Sequence, residues 1–269
     1  MKLLDIERSI IKKYRKTLWS PFIKAVKEFE LIKENDKIAV CISGGKDSLL
    51  CAKLIEQLHR HSIHNFDVEY MVMDPGYEKE FRATLEDTLD YLNIKAHIFD
   101  SEIFAVSEKI SGDYPCYMCA RMRRGFLYAK AKELGCNKIA LGHHFNDVIE
   151  TTMINMLFAG NYKTMKPKLK AQNFDDMYLI RPLFHIREKD IIKWRDYCGI
   201  NALNCACSVT KKQEAYTRKY VKELIEKLGE EIKDVDKSIF RSAYNVNVDM
   251  VLGYKKDGEK HSFLEEFKE

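Results

Sequence analysis

The sequence predicts an α/β protein with an open, doubly wound parallel sheet of about five strands and helices on both faces. Short apolar runs alternate along the chain with longer segments of helical periodicity, which is the order that a parallel sheet requires. The first run, Ile38 to Ile42, is apolar throughout, as in a strand that is buried on both faces. Apolar residues make up 46% of the 269 residues, which is enough for one large domain with its own core.

The predicted elements follow in chain order. Apolar stripes indicate two helices before residue 37, the second beginning near Pro21. The predicted strands cover residues 38–42, 66–73, 95–99, 138–141 and 178–180. Helices are expected directly after the first strand and at residues 79–92 and 121–134. The chain from about Lys211 is helical and charged in pattern, with a polar tail from Lys255. We therefore divide the chain into an N-terminal helical arm, a central α/β domain and a C-terminal helical extension, at residues 1–36, 37–210 and 211–269.

Composition narrows the class of protein. No apolar run approaches the roughly 20 residues of a membrane span, and the first residues lack the apolar stretch of a secretion signal. The expected location is therefore the cytoplasm, where the eight cysteines suit metal ligands or catalytic thiols better than disulfides. The net charge of +4 is too small to indicate nucleic-acid binding by itself.

A glycine-containing loop, Ser43–Ser48, lies between the first strand and the helix that follows it. Glycines let backbone N–H groups face a phosphate, and the start of the helix adds positive potential. Lys46 adds a full positive charge. The loop is not a Walker A motif, because Asp47 follows the lysine and no glycine stands five residues before it. The sequence therefore predicts an anion site of another kind.

Cysteines form a second constellation. Cys116 and Cys119 have the C-x-x-C spacing that clamps one metal or one cluster edge, and Cys205 and Cys207 follow far downstream. These residues suit a structural zinc, a dithiol or persulfide relay, or a 4Fe–4S cluster held by three cysteines, and the spacing alone does not choose. The remaining cysteines are expected to be buried and structural: Cys41, Cys51, Cys136 and Cys198.

Further candidate residues follow the predicted strands. Asp74 ends the second strand and is a candidate for holding Mg²⁺ or a ribose, and Gly142 and Asp147 follow the fourth. Two basic clusters lie near the cysteine pair and Asp147 in the chain, with aromatic residues among them. They comprise Arg121, Arg123 and Arg124, and Lys163, Lys166, Lys168 and Lys170. Such clusters suit a phosphate backbone and a flipped base, although a solvated surface is the alternative for the lysines.

The loop Ser43–Ser48 resembles the PP-loop, S-G-G-x-D-S, of the N-type ATP pyrophosphatases. The stretch from Pro115 to Leu169, with Arg181-Pro182-Leu183 and Cys207, resembles the tRNA 2-thiolating enzymes of the TtcA/TtuA kind, closest to the 2-thiocytidine branch. The resemblance covers most of residues 30–210 and implies their PP-loop, adenine-nucleotide α-hydrolase-like fold.

The resemblance implies ATP, Mg²⁺ and an oxygen-sensitive 4Fe–4S cluster as cofactors. Cys116, Cys119 and Cys207 match the cluster ligands of that family. Cys205 lies off the family pattern and is the alternative candidate for the third ligand. Lys46, Asp47 and Asp147 are the implied catalytic residues. The implied ATP-binding residues are Ser43, Gly44, Gly45, Lys46, Asp47, Ser48, Asp74 and Gly142.

The implied reaction is ATP-dependent 2-thiolation of a tRNA base, expected to be a cytidine, in which the base 2-oxygen is adenylylated and then replaced with sulfur by means of the 4Fe–4S cluster. The implied partners are tRNA, a sulfur donor (a cysteine desulfurase, a carrier protein or free sulfide) and a second copy of the chain in a homodimer. Two alternatives stay open: a PP-loop ligase or amidase that acts as in tRNA lysidine synthesis, and a non-catalytic nucleotide- and RNA-binding protein with a structural zinc.

Overall fold

The structure is a computed structural model. It describes residues 1–62, 65–101, 103, 106, 115–203 and 214–267, and only the backbone at 115–120, 214, 215 and 266. In this part of the chain, no helix is long and apolar enough to cross a membrane.

The centre of the molecule is a six-stranded sheet in the order β3-β2-β1-β4-β6-β5. Its strands are β1 Lys37–Ile42, β2 Asp67–Asp74, β3 Ala96–Asp100, β4 Lys138–Ala140, β5 Lys168–Lys170 and β6 Tyr178–Ile180. All neighbouring strands are parallel except β5, which pairs antiparallel with β6 at the edge. The predicted α/β class with a mostly parallel sheet is confirmed, and β5 is an addition to the five expected strands.

Helices cover both faces of the sheet. They are α1 Leu3–Ile11, α2 Ser20–Glu28, α3 Lys46–His61, α4 Lys79–Tyr91, α5 Pro115–Glu133, α6 Phe145–Ala159, α7 Glu188–Cys198, α8 Glu214–Glu231 and α9 Val235–Ser242. A π-helical segment, Arg15–Trp19, precedes α2, and short 3₁₀ turns follow at Val248–Met250 and Phe263–Phe267. The divisions at residues 36 and 211 stay predictions, because α1 and α2 pack on the same core as the sheet.

The strand β1 shows why the sheet is buried. Ile38, Val40 and Ile42 belong to one hydrophobic cluster, whereas Ala39 and Cys41 belong to a second. Successive side chains of a strand point to opposite faces, so the two clusters lie on the two sides of the sheet. The chain order reverses between β1 and β4, and parallel sheets bind ligands outside the carboxyl ends of their strands at such a point.

The C-terminal region differs from the prediction. Instead of a polar tail after helices, residues 253–262 form a hairpin of β7 Gly253–Lys256 and β8 Glu259–Ser262. Its two turn residues, Asp257 and Gly258, have φ of 51° and 91°. An Asp-Gly pair favours this type of tight turn, but the polar flanking residues hid the strand pattern.

The N-terminal helix is anchored by a buried ion pair. Lys53 on α3 is fully buried, and its Nζ donates to Glu7 Oε1 at 3.0 Å and to the carbonyl oxygen of Leu92 at 3.2 Å. Arg60 Nη1 donates to the other oxygen of Glu7 at 2.7 Å, from a side chain that is 43% exposed. Glu7 therefore joins α1 to α3 through one buried and one exposed cation.

We expect Glu7→Ala to lower the free energy of unfolding by on the order of 3 kcal/mol, because it leaves Lys53 with less charge compensation inside the protein. Arg60→Ala is the control, with an expected loss below about 1 kcal/mol, since its charge is screened by water. Urea unfolding of the two variants measures both values. Equal losses for the two variants would contradict this account of the anchor.

Candidate functional site

The loop Ser43–Ser48 is held by its own side chains. The Ser48 hydroxyl accepts a hydrogen bond from the backbone N–H of Ser43 at 3.1 Å and donates to the carbonyl oxygen of Gly45 at 2.9 Å. Gly44 has a φ of 80°, which favours glycine. The helix α3 begins at Lys46, so the free N–H groups of its first turn lie at the loop. A helix start of this kind is suited to binding a phosphate group.

Leu203 packs directly on this loop. A Cβ at Gly44 would lie 2.6 Å from Leu203 Cδ1, and the N–H of Leu203 donates to the carbonyl oxygen of Gly44 at 2.9 Å. Leu203 precedes Cys207 by four residues. The chain is therefore fixed on the loop at Leu203, the last described residue before Cys207.

Gly142 lets a second loop approach the first turn of α3. A Cβ at this position would lie 2.8 Å from the carbonyl carbon of Asp47 and from the backbone nitrogen of Ser48. Backbone cannot yield at that distance, so the segment after β4 needs glycine here. The structure thus brings Gly142 and the loop together at the carboxyl edge of β1 and β4.

Lys46 lies between two carboxylates. Its Nζ is 3.1 Å from Asp47 Oδ2 and 3.0 Å from Glu188 Oε1, at the start of α7. Lys222 on α8 contacts the other oxygen of Glu188 at 2.7 Å. Burial acts to raise the pKa of Glu188, but hydrogen bonds from Lys222 and Lys46 lower it to about 2. Glu188 is therefore an anion that holds Lys46 at the loop.

Asp47 has one oxygen that is available to a ligand. Asp47 Oδ1 is buried, and in the described part of the chain no donor is within hydrogen-bond distance of it. His144 Nε2 is 3.6 Å away. Burial raises the pKa of Asp47, although His144 and Lys46 oppose this. A carboxylate oxygen without a donor is a ligand of the kind that Mg²⁺ takes, so Asp47 fits a magnesium site.

Asp147 and His144 form a capping box at the start of α6. The N–H of His144 donates to Asp147 Oδ2 at 2.9 Å, and the N–H of Asp147 donates to His144 Nδ1 at 3.4 Å. Arg218 Nη1 on α8 donates to the other oxygen, Asp147 Oδ1, at 2.9 Å. Burial acts to raise the pKa of Asp147, but His144, His143 and Arg218 keep it lowered. Asp147 is thus a helix cap and a partner of the C-terminal helix at once.

Three buried groups lie near Asp147. Burial raises the pKa of Glu150 to about 7, although Arg218, 3.7 Å away, opposes the shift. Burial lowers the pKa of His143 to about 4. His143 Nδ1 and Arg181 Nε find no hydrogen-bond partner among the described residues, while Arg181 Nη1 donates to the carbonyl oxygen of Lys166. These two nitrogens are free to contact a ligand.

Asp74 is already engaged at the end of β2. Its Oδ1 accepts from the N–H groups of Gly76 and Tyr77 at 2.8 and 2.7 Å, and its Oδ2 accepts from Arg82 Nη1 at 2.6 Å. A metal or ribose at Asp74 would have to compete with these donors. Its role in ATP binding stays a prediction.

The two basic clusters differ in how free their charges are. Arg121 and Arg124 are exposed on α5, with Arg123 half-buried. Lys163, Lys166 and Lys170 are exposed, but Lys168 Nζ donates to the carbonyl oxygen of Glu30 at 2.9 Å. Lys168 and Lys170 belong to the edge strand β5. Their assignment to tRNA binding stays a prediction.

The cysteine predictions divide into two groups. Cys41, Cys51, Cys136 and Cys198 are buried as expected, and burial raises the pKa of Cys41 to about 12, which makes its thiol inert. The backbone of Cys116 and Cys119 lies in the first turns of α5. Their side chains, and all of Cys205 and Cys207, lie outside the described residues. The cluster ligands therefore stay predictions.

The sequence reasoning missed the residues that α7 and α8 bring to the site. Glu188 contacts Lys46, whereas Arg218 and Lys222 contact Asp147 and Glu188. The signal that was available is the four-residue spacing of Arg218 and Lys222, which puts two cations on one face of a helix. That spacing does not reveal which acidic residues they reach.

Comparison with known proteins agrees with this geometry. The family model of the PP-loop domain matches residues 18–228. A Geobacter metallireducens protein is 36% identical over 242 residues, covering 87% of this chain and 91% of its own, and one from Pelobacter propionicus is 34% identical over 237 residues, covering 87% of each. Both are named tRNA-cytidine(32) 2-sulfurtransferase.

A solved structure shows the same fold. The U34-tRNA thiolase NcsA from Methanococcus maripaludis, which was solved with its [4Fe–4S] cluster, superposes with a TM-score of 0.69 at 23% identity. The match covers 88% of this chain and 80% of that one. The resemblance drawn from Ser43–Ser48 and from the central stretch of the sequence is confirmed. This chain belongs to the PP-loop domain family, in the group of the tRNA-cytidine(32) 2-sulfurtransferases.

Proposed function

We propose that this protein is an ATP-dependent tRNA sulfurtransferase that replaces the 2-oxygen of a cytidine with sulfur. The observation that carries the proposal is the anion site at Ser43–Ser48, in a chain that matches 2-thiolating relatives over most of its length. We place the enzyme in the cytoplasm, where tRNA is modified. The sulfur donor and a homodimer stay predictions.

The residues of the site suit adenylylation. The N–H groups at the start of α3 bind phosphate oxygens, and Lys46 neutralises the charge that grows as pyrophosphate leaves. The base 2-oxygen attacks the α-phosphorus of ATP, which forms a C2–O–AMP bond and breaks the bond to pyrophosphate. A sulfur nucleophile then adds at C2, and AMP leaves with the former 2-oxygen.

Other residues prepare the site for these steps. Asp47, with its free Oδ1, would hold Mg²⁺, which neutralises phosphate charge when bound. Glu188 keeps Lys46 at the loop until phosphate competes for it. Cys116, Cys119 and Cys207 would hold the iron–sulfur cluster through their thiolates, and the cluster would supply a carrier of sulfide for the second step.

We expect Lys46→Ala to lower tRNA-dependent pyrophosphate release by about 100-fold or more, because the leaving charge loses its cation. Lys189→Ala is a matched control, since Lys189 is exposed on α7 beside Glu188. Pyrophosphate release by purified variants, with circular dichroism to verify folding, is the measurement. Pyrophosphate release at the wild-type rate by a folded Lys46→Ala variant would contradict the assignment of the loop to ATP turnover.

We expect the anaerobically purified protein to contain about four iron and four sulfide ions per chain. Alanine at Cys116, Cys119 or Cys207 removes the iron and the thiolation activity, whereas Cys205→Ala has a milder effect. Cys136→Ala is the control, because that thiol is buried in the core. Stoichiometric zinc without iron under anaerobic handling would instead favour a structural metal and overturn the cluster.

Arg218→Ala should lower the rate of pyrophosphate release about 10-fold, because Asp147 loses a charged partner within 2.9 Å. Its stability should change by less than about 1 kcal/mol, since Arg218 is half-exposed. Lys219→Ala on the same helix is the control, from a side chain that is 77% exposed. A partial return of the rate in Arg218→Lys supports a charge contact. Identical rates for Arg218→Ala and Lys219→Ala would rule out a role for Arg218 at Asp147.

A further inference from the structure

A second cleft lies beside the ATP site, between the segment that contains α2 and the helix α9. Its volume is about 550 Å³. Five cationic side chains line it: Lys16, Lys24, Arg187, Lys237 and Arg241. Glu28 is the acidic residue of the lining. The lining of the cleft therefore carries more cations than anions.

In the part of the chain that the structure describes, two of the five cations form no ion pair. Arg187 pairs with Asp236, Lys237 with Asp234, and Lys24 with Glu28. Within the described residues, no carboxylate lies within ion-pair distance of Lys16 or Arg241, and both side chains are exposed. Lys16 belongs to the π-helical segment before α2 and Arg241 to α9. Each side of the cleft thus presents a free cation.

Glu28 pairs with Lys24 and is not within ion-pair distance of Lys16 or Arg241. Glu28 accepts hydrogen bonds from His185 Nε2 at 3.0 Å and from the Tyr244 hydroxyl at 3.4 Å. It is thereby engaged in holding the floor of the cleft. Tyr244 is 50% exposed, so its ring remains open to a ligand that carries an aromatic base.

The cleft and the ATP site share two short segments. Arg187 lines the cleft, and the next residue, Glu188, contacts Lys46. Phe145 lines the cleft, and the preceding residue, His144, lies 3.6 Å from Asp47. A chain molecule that reacts at the loop can therefore continue into the cleft. A small ligand bound at the loop has no need of it.

We propose that this cleft binds the sugar–phosphate backbone of the RNA substrate, next to the nucleotide that reacts. The proposal rests on the proposed function, which supplies a polyanionic substrate. A single flipped base offers few contacts, so an enzyme acting on RNA needs phosphate contacts outside the reaction centre to hold it. Lys12 and Arg15 are further exposed cations on the same N-terminal segment as Lys16.

The test is tRNA binding over a salt series for a Lys16→Ala/Arg241→Ala double variant. Two lost phosphate contacts should reduce the slope of log affinity against log salt by about two, and affinity at low salt should fall at least about 10-fold. A Lys79→Ala/Lys95→Ala variant removes the same charge from two exposed positions, at the start of α4 and directly before the edge strand β3. It should keep the wild-type slope.

A second measurement, the affinity for ATP, separates the cleft from the loop. ATP affinity should stay at the wild-type value in the Lys16→Ala/Arg241→Ala variant. Thermal unfolding verifies that both double variants are folded, and Lys16→Glu/Arg241→Glu should weaken tRNA binding further. Weaker binding of ATP or inorganic phosphate with unchanged tRNA binding would mean a small-anion site and overturn the proposal.

Equal salt slopes for the two alanine variants would also overturn the proposal, because the two cations would then be only solvated. That result would leave the proposed function standing. The proposed function fails separately if wild-type protein, loaded with iron and supplied with ATP and sulfide, forms no 2-thiocytidine in tRNA.

Discussion

The site depends on the close approach of Gly142 to the first turn of α3. Because β1 and β4 are parallel neighbours, the loops that leave their carboxyl ends meet at this point. The missing Cβ lets the two backbones touch, and this contact fixes His144 and Asp147 relative to Asp47. Any side chain at residue 142 would separate the phosphate-binding loop from the helix that carries Asp147.

Alternating charges then connect this centre to the C-terminal helix. Lys222 contacts Glu188, which contacts Lys46, which in turn contacts Asp47. Buried charges are tolerated in such a series because each one has an opposite partner. The helix α8 is far from the loop in sequence, yet its cations contribute to lowering the pKa of Glu188, together with Lys46, and that of Asp147, together with His144 and His143. The C-terminal extension is thus part of the electrostatics of the site.

Local patterns were sufficient to predict the centre of the fold. The apolar run of β1 and the glycines after it determine a buried strand and a helix start within a few residues, so no distant contact is needed to foresee them. The edge strand β5 was not predicted, because its sequence, Lys-Leu-Lys, is short and polar. The sequence did not predict the ion pairs of Glu188, Arg218 and Lys222 for a different reason. These pairs depend on how α7 and α8 pack. The cysteine ligands and the tRNA contacts stay predictions.

The capping box at the start of α6 gives Asp147 two structural roles, so that a single substitution affects both. One oxygen of Asp147 supports the helix start, while the other contacts Arg218. A change at Asp147 therefore alters both the helix start and the contact with α8, and the cap alone contributes about 1 kcal/mol of helix stability. A substitution at Asp147 costs stability, whereas a substitution at the half-exposed Arg218 costs little. Evolution can therefore replace Arg218 more easily than Asp147. Asp147→Asn, which keeps an oxygen acceptor for the cap, is the variant that separates the two roles.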